Sequence, residues 1–276
     1  MAIKTKNKTN AAATPAARQE KKKLRRGIIV LVSLAVLCAA VVFGLMRLNK
    51  LMFEDNRHFI LRRIEVISSG FYGKNQANKR ALIGKLDLKI NSANLFELDV
   101  KKLRQTLRYQ PNIADAQVAV LLPDTLQISV EERIPRAFLG RTDSPLVADA
   151  NGMVMRSREC MGIHPNLPVI AGMPHHSLKA GEIHEKLRDA LNLIMTVQRY
   201  RAFSVAGVNL SVPDELFVYM DYRFGSNVHR YRVTMPRGNY RENLDILQSA
   251  IEAARRRGDT HSRIEMTFDG QVVLKP

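Results

Sequence analysis

The longest apolar run in the chain extends over 20 residues, from Gly27 to Met46, without a charged side chain. A helix of that length spans about 30 Å, which matches the hydrocarbon thickness of a bilayer. A cleaved signal peptide is the main alternative, but its apolar region usually has about 7–15 residues and ends at a small-x-small site. This run instead continues directly into Arg47 and Lys50. The pattern therefore predicts a retained transmembrane helix over residues 27–46.

The polar residues that precede this run are mostly basic. Residues 1–26 hold nine Lys and Arg and a single acid, Glu20, so they contribute +8 of the net charge of +17. Such a bias across a span places the amino terminus in the cytoplasm. A nucleic-acid-binding arm is the alternative, but no recognition motif accompanies it. Because the segment lacks an apolar face, we expect residues 1–26 to be a disordered cytoplasmic tail and expect no nucleic acid as partner.

After the span, apolar positions change between helical and strand spacing over residues 57–133. Asp99 precedes one helical stretch as an N-cap, and Pro111 follows it. The pattern predicts a β-α-α-β-β unit, with elements over residues 59–67, 75–86, 100–108, 113–120 and 125–132.

Residues 134–276 predict a second unit, built mainly on antiparallel strands with helices. Asn151-Gly152 is a strong hairpin signal, and the Pro- and Gly-rich stretch 156–182 predicts a loop. The strands are expected over residues 137–140, 146–149, 153–155, 205–210, 215–222, 228–234, 263–268 and 271–275, and the helices over 184–200 and 240–257. The fold class is therefore α+β, with an N-terminal transmembrane helix followed by two mixed units.

The chain ends in a predicted β-hairpin that turns at Asp269-Gly270. From the physics alone, its last strand either completes the unit's own sheet or offers an edge to which a partner adds a strand.

No stretch of the sequence has the pattern of an active site or a cofactor site. His164, His175, His176 and His184 lack the helical pairing with Glu that a zinc hydrolase uses, and no cysteine pair accompanies them. Phosphate-loop and serine-nucleophile motifs are absent from the sequence. Cys38 lies inside the predicted membrane span and Cys160 far downstream in a different compartment, so we expect no disulfide between them. The sequence therefore predicts a protein that is not an enzyme and that uses no cofactor or metal.

Several stretches follow, in order, the motifs of a known family. They are Asn94-Leu95-Phe96 with Asp99, Ala116-x-Val118, Pro123-x-x-Leu126-x-Ile128-x-Val130-x-Glu132-Arg133-x-Pro135-x-Ala137, Val147-Ala148-Asp149-Ala150-Asn151-Gly152, Leu167-Pro168-Val169-Ile170-Ala171-Gly172, and Ile264-Glu265-Met266-x-Phe268-x-Gly270-Gln271-Val272-Val273. Together with the basic tail and single span, they resemble the FtsQ/DivIB family of bacterial cell-division proteins over nearly the whole chain. Residues 57–133 resemble its POTRA domain, and residues 134–276 its β domain. Asn112 and Leu122 stand where the family often has aromatic residues.

The resemblance implies a non-catalytic scaffold of the divisome, anchored in the cytoplasmic (inner) membrane at the division site by one helix. It implies that the last strands bind division proteins of the FtsB/FtsL type, with Phe268, Gly270 and Val272 as contact positions. Other divisome proteins would bind the POTRA-like domain, so that early and late division proteins are linked for septum formation. Two alternatives are a POTRA-type factor for outer-membrane protein assembly or secretion and a membrane-anchored cell-wall enzyme.

Overall fold

A computed structural model of the chain describes residues 15–54, 56–259, 261–266 and 270–275. The first element, helix α1 (Pro15–Asn49), is followed by a short π-helical turn, Lys50–Glu54. Within these, Leu31–Phe53 is long and apolar enough to cross a membrane. The apolar run is therefore helical as predicted. The prediction of disorder is wrong for residues 15–26, because strong helix formers such as Ala, Lys, Arg and Glu extend the helix toward the amino terminus.

The first domain is a three-stranded sheet with short helices. Its elements are β1 (Arg63–Ile67), α2 (Phe71–Lys74), α3 (Gln76–Gly84), α4 (Val100–Arg108), β2 (Ile113–Leu121) and β3 (Thr125–Glu132). The strand order is β1-β3-β2, with β3 parallel to β1 and antiparallel to β2. Asp99 caps α4 as expected, since its carboxylate accepts a hydrogen bond from the Lys102 backbone N–H at 2.9 Å.

Two details of this domain differ from the sequence prediction. The strand begins at Arg63, because Arg57–Phe59 form a 3₁₀ turn. The extra helical turn α2 precedes α3, so the order is β-α-α-α-β-β. The Glu132 carboxylate accepts hydrogen bonds from the backbone N–H groups of Phe71 and Tyr72 at 2.6 and 2.9 Å. A residue about 60 positions away therefore organises α2, which local periodicity could not indicate.

The second domain contains a nine-stranded mixed sheet. Its elements are β4 (Ala137–Leu139), β5 (Leu146–Ala148), β6 (Val154–Arg156), β7 (Val169–Ala171), α5 (Arg188–Val197), β8 (Phe203–Asn209), β9 (Glu215–Phe224), β10 (Asn227–Pro236), α6 (Tyr240–Arg256), β11 (Arg263–Met266) and β12 (Val272–Lys275). The strand order is β12-β11-β10-β9-β8-β7-β4-β5-β6. The β5–β6 hairpin forms at Asn151-Gly152, where Gly152 has a φ of +83°.

Strand β7 is a correction to the predicted loop over 156–182. It pairs in parallel with both β4 and β8 and therefore lies inside the sheet. Its three residues, Val169–Ala171, lie between Pro168 and Gly172 and are too few to give a periodic signal. Helix α5 is also shorter than predicted, because Glu185–Leu187 form a separate 3₁₀ turn before it.

Helices α5 and α6 cover one face of the large sheet. Buried residues of β9, such as Leu216, Val218 and Met220, share a single hydrophobic core with the α6 residues Leu244 and Leu247. The alternate residues of β9 point to the opposite face, where Phe217 and Tyr219 remain 36% and 46% exposed. Among the described residues, α5 and α6 both pack on the first face. We call the face that carries Phe217 and Tyr219 the helix-free face.

Polar contacts join the two domains. Arg133 donates a hydrogen bond from Nη1 to the buried Asp149 carboxylate at 2.8 Å. Asn112, which is 2% exposed, donates from Nδ2 to the Glu159 carbonyl at 2.7 Å. Arg133, which matches a family motif, and Asn112, which stands where the family often has an aromatic residue, therefore both lie in the contact between the domains.

A candidate partner-binding edge at the end of the large sheet

Strand β12 is the terminal strand of the nine-stranded sheet. It pairs antiparallel with β11, and β11 pairs in parallel with β10. Within the described part of the chain, no strand pairs with the outer side of β12. The backbone N–H and C=O groups on that side are thus a template for an added strand.

The opposite end of the sheet is protected differently. Beyond β6, the Val154 backbone N–H donates to the Glu182 carbonyl at 3.0 Å, and the Gly181 N–H donates to the Val154 carbonyl at 2.8 Å. Met153 and Ile183 form a further isolated bridge. A segment of the same chain therefore covers the β6 edge, and β12 offers the open one.

The two faces of β12 have different environments. Val272 and Leu274 are partly buried and pack against the main hydrophobic core. Val273 lies on the helix-free face and is 45% exposed. Lys275 forms an ion pair with Glu265 of β11. A strand added beside β12 would therefore meet apolar side chains on both faces.

The family resemblance implied Phe268, Gly270 and Val272 as contact positions. Phe268 lies outside the described residues. Gly270 precedes β12 with a φ of +72°, a backbone conformation that favours glycine. Val272 opens β12 and pairs with Met266. The structure brings Gly270 and Val272 to the same end of the edge strand.

Sequence reasoning missed an adjacent groove on the helix-free face. Phe217, Tyr219, Arg232, Arg263 and Glu265 line part of this depression of about 410 Å³, which crosses β9, β10 and β11. The exposed aromatic residues alternate with buried ones along β9, and this alternation is the signal that could have revealed the surface.

Metal clusters and free thiols are the remaining candidates for chemistry among the described residues. Among them, no group of three or more His, Cys, Asp or Glu side chains could hold a metal ion. Cys160 is a free thiol whose pKa is raised to about 12, chiefly by burial and further by the charges of Glu159 and Glu132. A thiol with so high a pKa is a poor nucleophile at neutral pH.

Comparison with known proteins identifies the first domain. Residues 71–133 match the family described as "POTRA domain, FtsQ-type". This match covers β2, β3 and the three short helices.

Curated relatives extend the similarity to nearly the whole chain. The chain is 25% identical over 252 residues to a protein named "Cell division protein FtsQ" from Syntrophotalea carbinolica, covering 90% of this chain and 83% of the relative. A protein of the same name from Koribacter versatilis is 23% identical over 259 residues, covering 93% of this chain and 72% of the relative. A third, from Novosphingobium aromaticivorans, is 34% identical over 85 residues, or 31% of this chain and 26% of the relative.

The helix that can cross a membrane, the FtsQ-type POTRA domain and the β domain that follows it occur in one chain, and its relatives are cell-division proteins. The chain therefore contains an FtsQ-type POTRA domain and is similar over about nine tenths of its length to bacterial proteins named "Cell division protein FtsQ".

Proposed function

We propose that this protein is a non-catalytic scaffold of the divisome, held in the cytoplasmic membrane by residues 27–46. The excess of Lys and Arg before the span supports a cytoplasmic amino terminus. The domains 57–133 and 134–276 would then lie outside the cytoplasm. Their role is to bind other division proteins and so to link early and late steps of septum formation.

The partner site in this proposal is the outer edge of β12. A β-strand from a protein of the FtsB/FtsL type adds to that edge and forms main-chain hydrogen bonds with it. The observation that carries the proposal is the contrast between the two ends of the sheet. The chain covers β6 with its own residues 181–183, whereas β12 remains open within the described residues.

Side chains next to the edge would give this pairing its specificity. Val273 on the helix-free face and Val272 on the helix-covered face both lie within reach of a neighbouring strand. Gly270 precedes β12 with a φ of +72°, and Phe268, which lies outside the described residues, stays a predicted contact position. Other divisome proteins would use the POTRA domain, which leaves β12 free for the FtsB/FtsL pair.

The test is co-purification of the full chain in detergent with the FtsB/FtsL pair of the same organism. Truncation after Gln271 removes β12 and keeps Ile264 and Met266, which are 0% and 4% exposed and belong to the core. We expect the truncated protein to fold, as judged by circular dichroism, and to lose the partner pair.

A point variant gives a gentler perturbation of the same edge. Val273→Glu places a carboxylate opposite Glu265 on the helix-free face, and like charges directly opposite each other are unfavourable. Its matched control is Val228→Glu, at a 55% exposed valine of β10 on the same face. We expect only Val273→Glu to weaken binding. Equal retention of partner by the truncated chain would reject the edge as the binding site.

A further inference from the structure

The motif Asn94-Leu95-Phe96 has a structural role that partner binding at β12 does not use. Asn94 is 4% exposed, and its Nδ2 donates hydrogen bonds to the carbonyls of Phe53 and Asn56 at 2.9 and 3.4 Å. Its Oδ1 accepts a hydrogen bond from the Phe96 backbone N–H at 2.9 Å. One side chain thus joins the segment that leaves the apolar helix to a loop of the first domain.

Three aromatic rings reinforce this connection. The ring centroid of Phe96 lies 5.1 Å from that of Phe53 and 5.0 Å from that of Phe59, with edge-to-face geometry. The Phe53 and Phe59 rings stack at 6.2 Å. We call Phe53, Phe59 and Phe96 the aromatic cluster. Phe53 and Phe96 keep 36% and 44% of their surface exposed, although both belong to a packed group.

The position of the cluster follows from its continuity with the apolar helix. Phe53 ends the segment Leu31–Phe53 that is long and apolar enough to cross a membrane, and it lies about 10 Å of helix beyond Met46, the end of the uncharged run. The rings that touch it therefore stand at the level where the bilayer meets water. The exposed neighbours include the apolar Leu51 and Met52 and the basic Lys50 and Arg57. Exposed Phe and Leu with flanking Lys and Arg are the usual composition of a segment that lies at the headgroup level.

We propose that the aromatic cluster is a lipid-binding surface that seats the first domain on the membrane. The exposed side of Phe96 inserts at the level of the phospholipid headgroups and upper acyl chains, and Lys50 and Arg57 contact anionic headgroup phosphates. Asn94 is the positioning residue that fixes the rings against the end of the span. The partner of this surface is the bilayer itself, and the β12 edge would be held at a set distance from it.

The chain contains no tryptophan, so a single introduced tryptophan is a specific fluorescent reporter. The full chain carrying Phe96→Trp is placed in nanodiscs of phosphatidylcholine and phosphatidylglycerol. Phosphatidylcholine brominated near the top of its acyl chains then replaces the ordinary lipid as a short-range quencher. We expect strong quenching of this tryptophan.

The matched control is Tyr109→Trp. Tyr109 is 84% exposed and follows the last residue of α4, about 14 Å of helix away from the loop that holds Phe96. We expect no quenching there. Asn94→Asp in the Phe96→Trp background keeps an acceptor for the loop but loses the donor to the two carbonyls, so we expect loss of most of the quenching. Arg57→Glu should reduce quenching only when phosphatidylglycerol is present.

Two results would overturn the proposal, provided that circular dichroism finds the protein folded. One is a Phe96→Trp reporter that is quenched no more than the Tyr109→Trp control. The other is an emission shift of the Phe96→Trp reporter that depends on protein density and not on brominated lipid, which would assign the cluster to contact between copies of the chain.

Discussion

The contact between Arg133 and Asp149 gives the sharpest prediction about what holds the two domains together. The pair is largely buried, with side chains that are 19% and 6% exposed, and its Nη1–Oδ2 distance is 2.8 Å. The other oxygen of Asp149 accepts hydrogen bonds from the backbone N–H groups of Asn151 and Met153, both at 2.9 Å. One carboxylate therefore joins the domain contact to the turn of the β5–β6 hairpin.

Asp149→Ala removes all three interactions and leaves the Arg133 guanidinium without its ionic partner. Breaking a buried ion pair on one side costs about 3–5 kcal/mol. We expect the free energy of unfolding to fall by that amount. Asp149→Asn keeps Oδ1 as acceptor for the two backbone donors, but its Nδ2 then faces the Arg133 donor, so the ion pair and its hydrogen bond are lost. Because the two backbone hydrogen bonds remain, we expect a smaller loss than for Asp149→Ala.

Urea unfolding of the full chain in detergent micelles, followed by far-ultraviolet circular dichroism, measures both changes. The control is Glu185→Ala, because Glu185 pairs with Arg188 at 3.2 Å while both side chains are more than half exposed. Exposed pairs contribute about 0–1 kcal/mol. If Asp149→Ala cost no more than the control, the stabilising role of the buried pair would be refuted.

Three further predictions concern single sites. Because the pKa of Cys160 is raised to about 12 from an ordinary 9.0, its thiolate fraction at pH 8 is about a thousandfold smaller than in the unfolded chain. In a variant whose other cysteine is replaced by serine, alkylation by iodoacetamide, measured by mass spectrometry, should be slower in the folded protein by a similar factor. Equal rates in the folded and unfolded protein would contradict this. Asn112→Ala leaves the Glu159 carbonyl without its hydrogen-bond donor and should lower the free energy of unfolding by about 1–3 kcal/mol. Urea titration measures this change, and an unchanged unfolding midpoint would argue against the domain contact. Gly152→Ala places a Cβ on a residue with a φ of +83° and within 3.2 Å of the His184 carbonyl oxygen. It should lower the free energy of unfolding by at least about 1–2 kcal/mol. A thermal melt identical to that of the wild type would count against the turn geometry.

The sequence could predict those elements whose signals are local. Asp99 and Pro111 delimit α4, and Asn151-Gly152 marks the turn between β5 and β6. In β9 the alternation of apolar residues predicts one buried face. Gly258, with a φ of +79°, follows the C-cap of α6, the position at which glycine commonly ends a helix.

Elements that depend on distant residues could not be predicted in the same way. The first backbone N–H groups of α2 donate hydrogen bonds to the Glu132 carboxylate, which also accepts a hydrogen bond from the Ser68 hydroxyl at 2.5 Å. Strand β7 exists because β4 and β8 flank it on both sides, and parallel partners lie far away in the chain. The start of α1 at Pro15 could not be predicted from periodicity, because the residues before the span have no apolar face.

The candidate site could be predicted only in part for a related reason. The terminal hairpin is visible in the pattern around Asp269-Gly270, but its place at the end of the sheet depends on the parallel pairing of β11 with β10. The groove beside Phe217 and Tyr219 forms across three strands. Its residues come together only when the register between those strands is set.

The central claim, strand addition at β12, is tested most directly by amide hydrogen exchange of the full chain in nanodiscs, with and without the FtsB/FtsL pair. The account predicts that amides of Val272–Lys275 become protected when the partners bind, while those of β6, at the covered end of the sheet, do not change. Stable binding without added protection at β12, or protection confined to the first domain, would contradict it.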